Sequence, residues 1–347
     1  MAQRRPLVKR IALLAASLVL SGMAVYAANA LFGLDLDWKL FRLRVKLFGH
    51  AFTAFGQPDD RFGWRLKPGA VATEQTPDFT ATYTIGSDGD RIVPGAPETG
   101  PAVAFLGGSF TFGHGVDDSE VFPSVLQRDH WTSYRVRNLG CGAYGTSQVL
   151  LRLQDEFSSG RQISLAVYSW IWSHLIRNYR RRAWLEIVVG EVRARNPLFE
   201  LDQGKLVFKG TIGLDRAMDN DDPLLRDREW EVTRALLNAI RGLCRKHHTR
   251  LAVVIFPERA SRIAEACNKR LAGFCSSLDI GCLDLSECPA LLAPGSYYPR
   301  DPHPTAKWHR EAARLIAERI DPRSGEVRPV TARRVRDTRL TPLAPVP

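Results

Sequence analysis

Between residues 101 and 320 of this 347-residue chain, short unbroken apolar runs alternate with longer segments whose apolar residues recur every three or four positions. The runs at 102–106, 134–138, 164–170, 250–256 and 281–285 have the length of strands, and Leu251-Ala252-Val253-Val254-Ile255 is the clearest of them. The intervening spacing predicts helices over 121–128, 146–157, 226–245, 258–272 and 304–320. Strands apolar on both faces and separated by helices argue for a parallel sheet covered on each side. Ligands of such sheets bind at the carboxyl ends of the strands. Residues 195–225 are polar and without period, which predicts an irregular excursion over one end of the sheet.

Ahead of this pattern, residues 56–100 are rich in Gly, Pro, Thr and Asp, with a β-prone stretch at 79–85 and a turn at Gly86-Ser87-Asp88-Gly89-Asp90. They predict a β-rich lead-in. Residues 321–347 are rich in Pro and Arg without periodicity, and a disordered basic tail is expected there. At the other end, Arg4, Arg5, Lys9 and Arg10 precede 22 residues, 11–32, that carry no charge. Such a run is long enough to span a bilayer as a helix, with the basic segment 1–10 left in the cytoplasm. Ala28-Asn29-Ala30 also has the small-x-small form of a signal cleavage site. Either way the body, 60–320, is expected outside the cytoplasm, periplasmic and membrane-anchored or secreted after cleavage. Residues 33–59 form the juxtamembrane link, and 38–48 mix apolar and basic residues as a surface-lying helix, a strand or a packed linker would.

The net charge of +11 suggests nucleic acid only until it is located. Residues 1–50 hold +6 and 321–347 hold +3, which leaves +2 for the whole folded part. A nucleic-acid domain concentrates its basic charge on the fold, so no nucleic-acid partner is expected. Of six cysteines, Cys244, Cys267, Cys275, Cys282 and Cys288 are expected to supply one or two disulfides, given an oxidising compartment and no Cys-x-x-Cys spacing. Cys141 is expected to be a buried free thiol. No cluster of His, Asp and Glu suggests a metal, and no cofactor is expected.

The chemistry begins at Phe105-Leu106-Gly107-Gly108-Ser109-Phe110-Thr111-Phe112-Gly113. An apolar strand ends in two glycines and a serine at the edge where ligands bind. Glycines permit the tight turn, and the following helix start aims backbone N–H groups at the same spot. A nucleophilic serine needs an exposed Oγ and a donor nearby for the oxyanion.

That segment resembles block I of the SGNH/GDSL hydrolase superfamily, with Gly108 where many members carry Asp. Asn138-Leu139-Gly140-Cys141-Gly142-Ala143-Tyr144-Gly145-Thr146 resembles block II, whose glycine N–H donates to the oxyanion. Pro299-Arg300-Asp301-Pro302-His303-Pro304 resembles block V, which supplies the acid and base. The resemblance covers roughly 60–320. It implies an α/β fold, a three-layer α/β/α sandwich with a mainly parallel, flavodoxin-like sheet, here preceded by one N-terminal transmembrane helix. It also implies Ser109, Asp301 and His303 as catalytic residues. The oxyanion would be held by Ser109 and by Gly142 or Ala143.

Two departures shape the functional reading. The usual block V spacing is Asp-x-x-His, which would place Arg300 at the acid; the chain offers Asp301-x-His303, a spacing found in exported SGNH-like proteins that O-acetylate polysaccharides. Block III normally brings an Asn to the oxyanion, but Ser169-Trp170-Ile171-Trp172-Ser173-His174-Leu175-Ile176-Arg177-Asn178 has none at that place. His174 is the nearest residue able to donate, with Asn178 in reserve. His114, His247, His248 and His309 are read as pocket-lining, helix-terminal or core residues. The resemblance implies a serine esterase acting on an ester, such as an acetyl ester, of a small molecule, carbohydrate or envelope polymer. An O-acyltransferase of an exported polysaccharide, fed by a membrane acyl-donor protein, and a catalytically silent binding module are the alternatives.

Overall fold

The computed structural model describes residues 52–258 and 262–328, with Ser17 alone described ahead of them. The expected membrane segment 11–32, most of the juxtamembrane link and the tail beyond 328 lie outside the described residues. Among the described residues no helix is long and apolar enough to cross a membrane.

A short helix α1 (Phe52–Phe55) leads into an antiparallel pair, β1 (Gly56–Asp59) and β2 (Gly63–Leu66). A second antiparallel pair follows, β3 (Val71–Gln75) and β4 (Thr80–Thr84). These hairpins are part of the body, because Phe55, Phe62, Trp64, Phe79 and Tyr83 are buried in the same core cluster as one face of the main sheet. The β-rich lead-in is therefore packed structure.

The main sheet is built from β5 (Ala102–Gly107), β6 (Arg135–Asn138), β7 (Leu165–Trp170), β10 (Arg250–Ile255) and β11 (Gly281–Asp284). All four pairings are parallel, in the spatial order β6-β5-β7-β10-β11. In sequence terms that is 2-1-3-4-5, the flavodoxin-like order, whose reversal lies between β5 and β7. Residues alternate between faces along each strand. Ala104, Leu106, Tyr168 and Val253 face one cluster, and Val103, Phe105, Val167 and Val254 face the other. The first face is covered by α4 (Thr146–Ser158), α7 (Leu225–Lys246) and α8 (Arg262–Ser277), and the second by α3 (Phe122–Asp129) and α10 (Ala306–Arg319). The remaining short helices are α2 (Ser109–Phe112), α5 (Ser173–Arg177), α6 (Arg182–Ile187) and α9 (Pro289–Leu292).

Four expectations are corrected. Residues 196–212 are an antiparallel hairpin, β8 (Asn196–Asp202) and β9 (Lys205–Ile212), with a register shift between Pro197 and Phe199, closed by Gln203 and Gly204 at φ 48° and 77°. Two residues of positive φ make the tight loop whose twist suits a hairpin. Helix α8 is described from Arg262, with 259–261 outside the described residues, and runs on to Ser277, past the expected end at 272. The basic tail is structured as far as residue 328: Ile320 and Val327 bridge, and Val327 packs on the core and against Gly281. Finally, all six cysteines are free. Cys244, Cys267 and Cys275 are buried on one face of the sheet with Cys282 against them, while Cys288 packs on the other face, so the sheet separates it from the rest. Cys141 is buried and free.

Candidate active site

Strand β5 ends at Gly107, paired with Ser169 of β7 at the order reversal of the sheet. A Cβ on Gly107 would stand 2.3 Å from Thr111 Oγ1 and 2.8 Å from the Ser169 carbonyl oxygen, so only glycine lets the chain turn this tightly between strands. Ser109 opens α2, and the helix closes after one turn on Gly113 in the left-handed region. The serine is therefore at the carboxyl edge of the sheet, 7% exposed.

The loop before α10 brings His303 to it. His303 Nε2 lies 2.9 Å from Ser109 Oγ, and His303 Nδ1 lies 2.6 Å from Asp301 Oδ1. Asp301 Oδ1 also accepts the backbone N–H of His303 at 2.9 Å, which the two-residue spacing makes possible. Burial opposes ionisation of Asp301, but the hydrogen bond and charge of His303, then His114, outweigh it and hold the carboxyl below its usual range. An ionised Asp301 fixes the proton on Nδ1, which leaves Nε2 to accept from the serine hydroxyl. Arg300 is turned away from this chain of bonds, its Nε donating to Asp78.

Further side chains hold Asp301 and His303 in place. Asp78, in the turn between β3 and β4, accepts the N–H groups of both Arg300 and Asp301 on Oδ2 at 2.9 Å. His114 sits with its ring centroid 4.3 Å from that of His303, its Nε2 4.0 Å from Asp301 Oδ2 and its Nδ1 3.4 Å from Glu74 Oε2. Burial, then the His303 charge, pushes His114 down to about 3. His114, Asp301 and His303 offer ligand atoms all within 4.8 Å of one another. A cation there would compete for the His303 nitrogens that already serve Asp301 and Ser109.

The candidate oxyanion groups converge on the same turn. Ser109 N is the first amide of α2. The loop carrying Gly142 and Ala143 abuts it, with the Tyr144 carbonyl 3.1 Å from where a Gly108 Cβ would stand. Ala143 has φ 66°, a strained value for alanine, and no described group accepts the N–H of Gly142 or Ala143. His174, on α5 beyond β7, is 1% exposed, and its Nε2 would be 2.9 Å from a Gly108 Cβ. That nitrogen is buried with no partner. Asn178 is elsewhere: its Oδ1 caps α4 by accepting the Thr146 N–H at 2.8 Å. Glu258 anchors the start of α5, accepting from Ser173 N–H at 2.9 Å and Ser173 O–H at 2.6 Å, and Arg177 Nη1 donates to the Tyr144 carbonyl at 2.9 Å. The arrangement can deprotonate a serine hydroxyl and surround a developing negative charge with donors.

No protein-family model matches the sequence, and no curated protein matches it either. Some solved structures resemble it weakly. A protein described as lipolytic and of the G-D-S-L family from Desulfitobacterium hafniense DCB-2 is 12% identical, at TM-score 0.40 over 62% of this chain and 98% of its own. A member of the lipolytic G-D-S-L family from Veillonella parvula DSM 2008 is 13% identical, at TM-score 0.39 over 62% of this chain and 96% of its own. An acetylxylan esterase from Geobacillus stearothermophilus is 12% identical, at TM-score 0.39 over 65% of this chain and 98% of its own. At these values the likeness extends to no residue's role. Two of the three are named for the G-D-S-L family, whose motifs the chain's three segments resemble.

Proposed function

We propose that the protein is a serine esterase of SGNH type. The observation that carries this reading is the unbroken line from Ser109 Oγ to His303 Nε2 at 2.9 Å and from His303 Nδ1 to Asp301 at 2.6 Å. His303 takes the hydroxyl proton as Ser109 Oγ attacks an ester carbonyl, and Asp301 stabilises the imidazolium that forms. The oxyanion is held by the N–H of Ser109, the N–H of Gly142 or Ala143, and His174. His303 then gives its proton to the leaving alcohol, and a water activated by the same imidazole releases the acid. Each oxyanion donor is worth roughly 3–4 kcal/mol of barrier.

The Asp301-x-His303 spacing favours a second outcome of the same acyl-enzyme, in which a sugar hydroxyl replaces water and an exported polysaccharide is acylated. The uncharged run at 11–32, placing the enzyme at a membrane and outside the cytoplasm, suits either outcome. Hydrolysis of a chromogenic acetyl ester tests the chemistry. Ser109→Ala and His303→Ala are each expected to lose at least about 10⁴-fold in kcat while staying folded. Undiminished hydrolysis in either variant would refute the assignment. Label transferred from an acyl donor to a polysaccharide faster than to water would select the transferase.

A further inference from the structure

His174 Nε2 can donate to an oxyanion only if it carries the ring's proton, and three side chains behind the active site decide this. The Asn178 amide is fixed in orientation, because its Oδ1 accepts the backbone N–H of Thr146 at 2.8 Å. Its Nδ2 must therefore donate, to Thr146 Oγ1 at 2.9 Å and to Thr233 Oγ1 at 2.8 Å. Thr146 Oγ1 lies 2.9 Å from Tyr168 Oη, and Tyr168 Oη lies 2.9 Å from His174 Nδ1. Thr146, Tyr168, His174 and Asn178 are all buried.

Only one direction of this chain satisfies its hydroxyls. With the Asn178 amide donating to it, Thr146 O–H donates to Tyr168 Oη, and Tyr168 O–H donates to His174 Nδ1. Reversed, His174 Nδ1–H would donate to Tyr168 and Tyr168 to Thr146, and the buried Thr146 O–H would have no acceptor among the described residues. The satisfied direction makes Nδ1 an acceptor and leaves the proton on Nε2, the nitrogen beside Gly108 that has no protein partner. We propose that Asn178, Thr146 and Tyr168 form a positioning relay that holds His174 as its Nε2–H tautomer and presents this donor at the nucleophile turn. The relay rests on the esterase reading for its purpose, while its direction rests on the fixed donors alone. Burial, then the Arg177 charge, keeps the His174 ring neutral, so that the choice is between tautomers and not between charges.

The test uses the full-length protein with 15N-labelled histidine, His174→Asn identifying the His174 resonances. The expected spectrum has the proton on Nε2 and an accepting, unprotonated Nδ1. Tyr168→Phe is expected to shift His174 toward the other tautomer and to lower kcat about 10-fold or more with KM little changed. Adding Tyr168→Phe to His174→Ala is expected to cost nothing further, because the tyrosine acts through the histidine. A Nδ1-protonated His174 in the unmodified protein overturns the relay, as does a folded Tyr168→Phe enzyme with full kcat. If Tyr168→Phe does not fold, Thr146→Val and the spectrum of the unmodified protein decide. Full activity in His174→Ala contradicts the donor role itself, whereas absence of any Ser109-dependent hydrolysis contradicts the esterase reading, and the resonance still decides the tautomer.

Discussion

At Gly108 three polar atoms stand where a side chain would begin: His174 Nε2 at 2.9 Å, Arg177 Nη1 at 3.0 Å and the Tyr144 carbonyl at 3.1 Å from an ideal Cβ. Many members of the resembled family place Asp there, and here the space belongs to the donors that approach the nucleophile turn. Gly108→Ala is expected to cost about 1–3 kcal/mol in stability and to lower kcat, because the methyl group displaces His174 or Arg177. Denaturant unfolding and ester hydrolysis measure the two effects; an unchanged kcat would show that neither side chain matters where it stands. That Ser109, Asp301 and His303 come together was legible because a strand-end glycine pair and an acid-x-base spacing are local patterns. Asp78, Glu74 and Glu258 were not. Each is a lone acid in a loop or on a strand edge, and only the fold brings it to the site. His174 was legible as a candidate, but the chain Asn178–Thr146–Tyr168 joins residues up to 32 positions apart and has no signature in sequence.

Among elements, the β3–β4 hairpin acts as a clamp on the loop that carries Asp301 and His303. Its turn residue Asp78, with 2% of its side chain exposed, ties down two consecutive amides of that loop. Asp78→Ala leaves Ser109 and His303 in place chemically but frees the loop that sets their distance. A loss of roughly 10–100-fold in kcat, with a smaller effect on stability, is expected from a displacement of that kind. Equal kcat in the folded variant would show that α10 alone fixes His303. The lead-in was legible as β-rich from its Thr and Gly content, yet its role was not, since nothing in residues 56–100 names a partner 200 positions away. The β8–β9 hairpin escaped because Asp202-Gln203-Gly204-Lys205 lacks the Asn-Gly or Asp-Gly pair that usually marks such a turn.

For the molecule as a whole, the apolar strand runs gave the parallel sheet, and the sheet's order reversal between β5 and β7 explains why Ser109 is where it is. The cysteines were misjudged for a reason of the same scale. Spacing suggested an oxidised cluster, but a central sheet separates Cys288 from Cys244, Cys267 and Cys275, and Cys275 and Cys282, which do meet, are both free. Three buried histidines, His114, His174 and His309, also tie stability to pH. Burial, then the charges of Arg91 and His303, pushes His309 down to about 3, while its Nδ1 accepts the Phe122 N–H at 3.3 Å. An unfolded histidine titrates near 6.5, so between about pH 6.5 and 3 the unfolded chain binds the extra proton. Stability therefore falls as pH falls through that window, by about 1.4 kcal/mol per pH unit for each of His114 and His309. His309→Asn keeps an acceptor for Phe122 but cannot titrate, so its stability deficit against the unmodified protein is expected to shrink between pH 6 and pH 4. A constant deficit in urea unfolding would contradict the buried neutral state.

The most direct measurement of the central claim is labelling of the full-length protein by a fluorophosphonate, followed by mass analysis of the modified peptide. A phosphonate reacts with a serine only where a base removes its proton and donors receive the developing charge. One label per chain is expected, on Ser109, abolished by His303→Ala and by Ser109→Ala. A folded protein that takes no label, takes it on another residue, or labels Ser109 as fast without His303 would contradict the central claim.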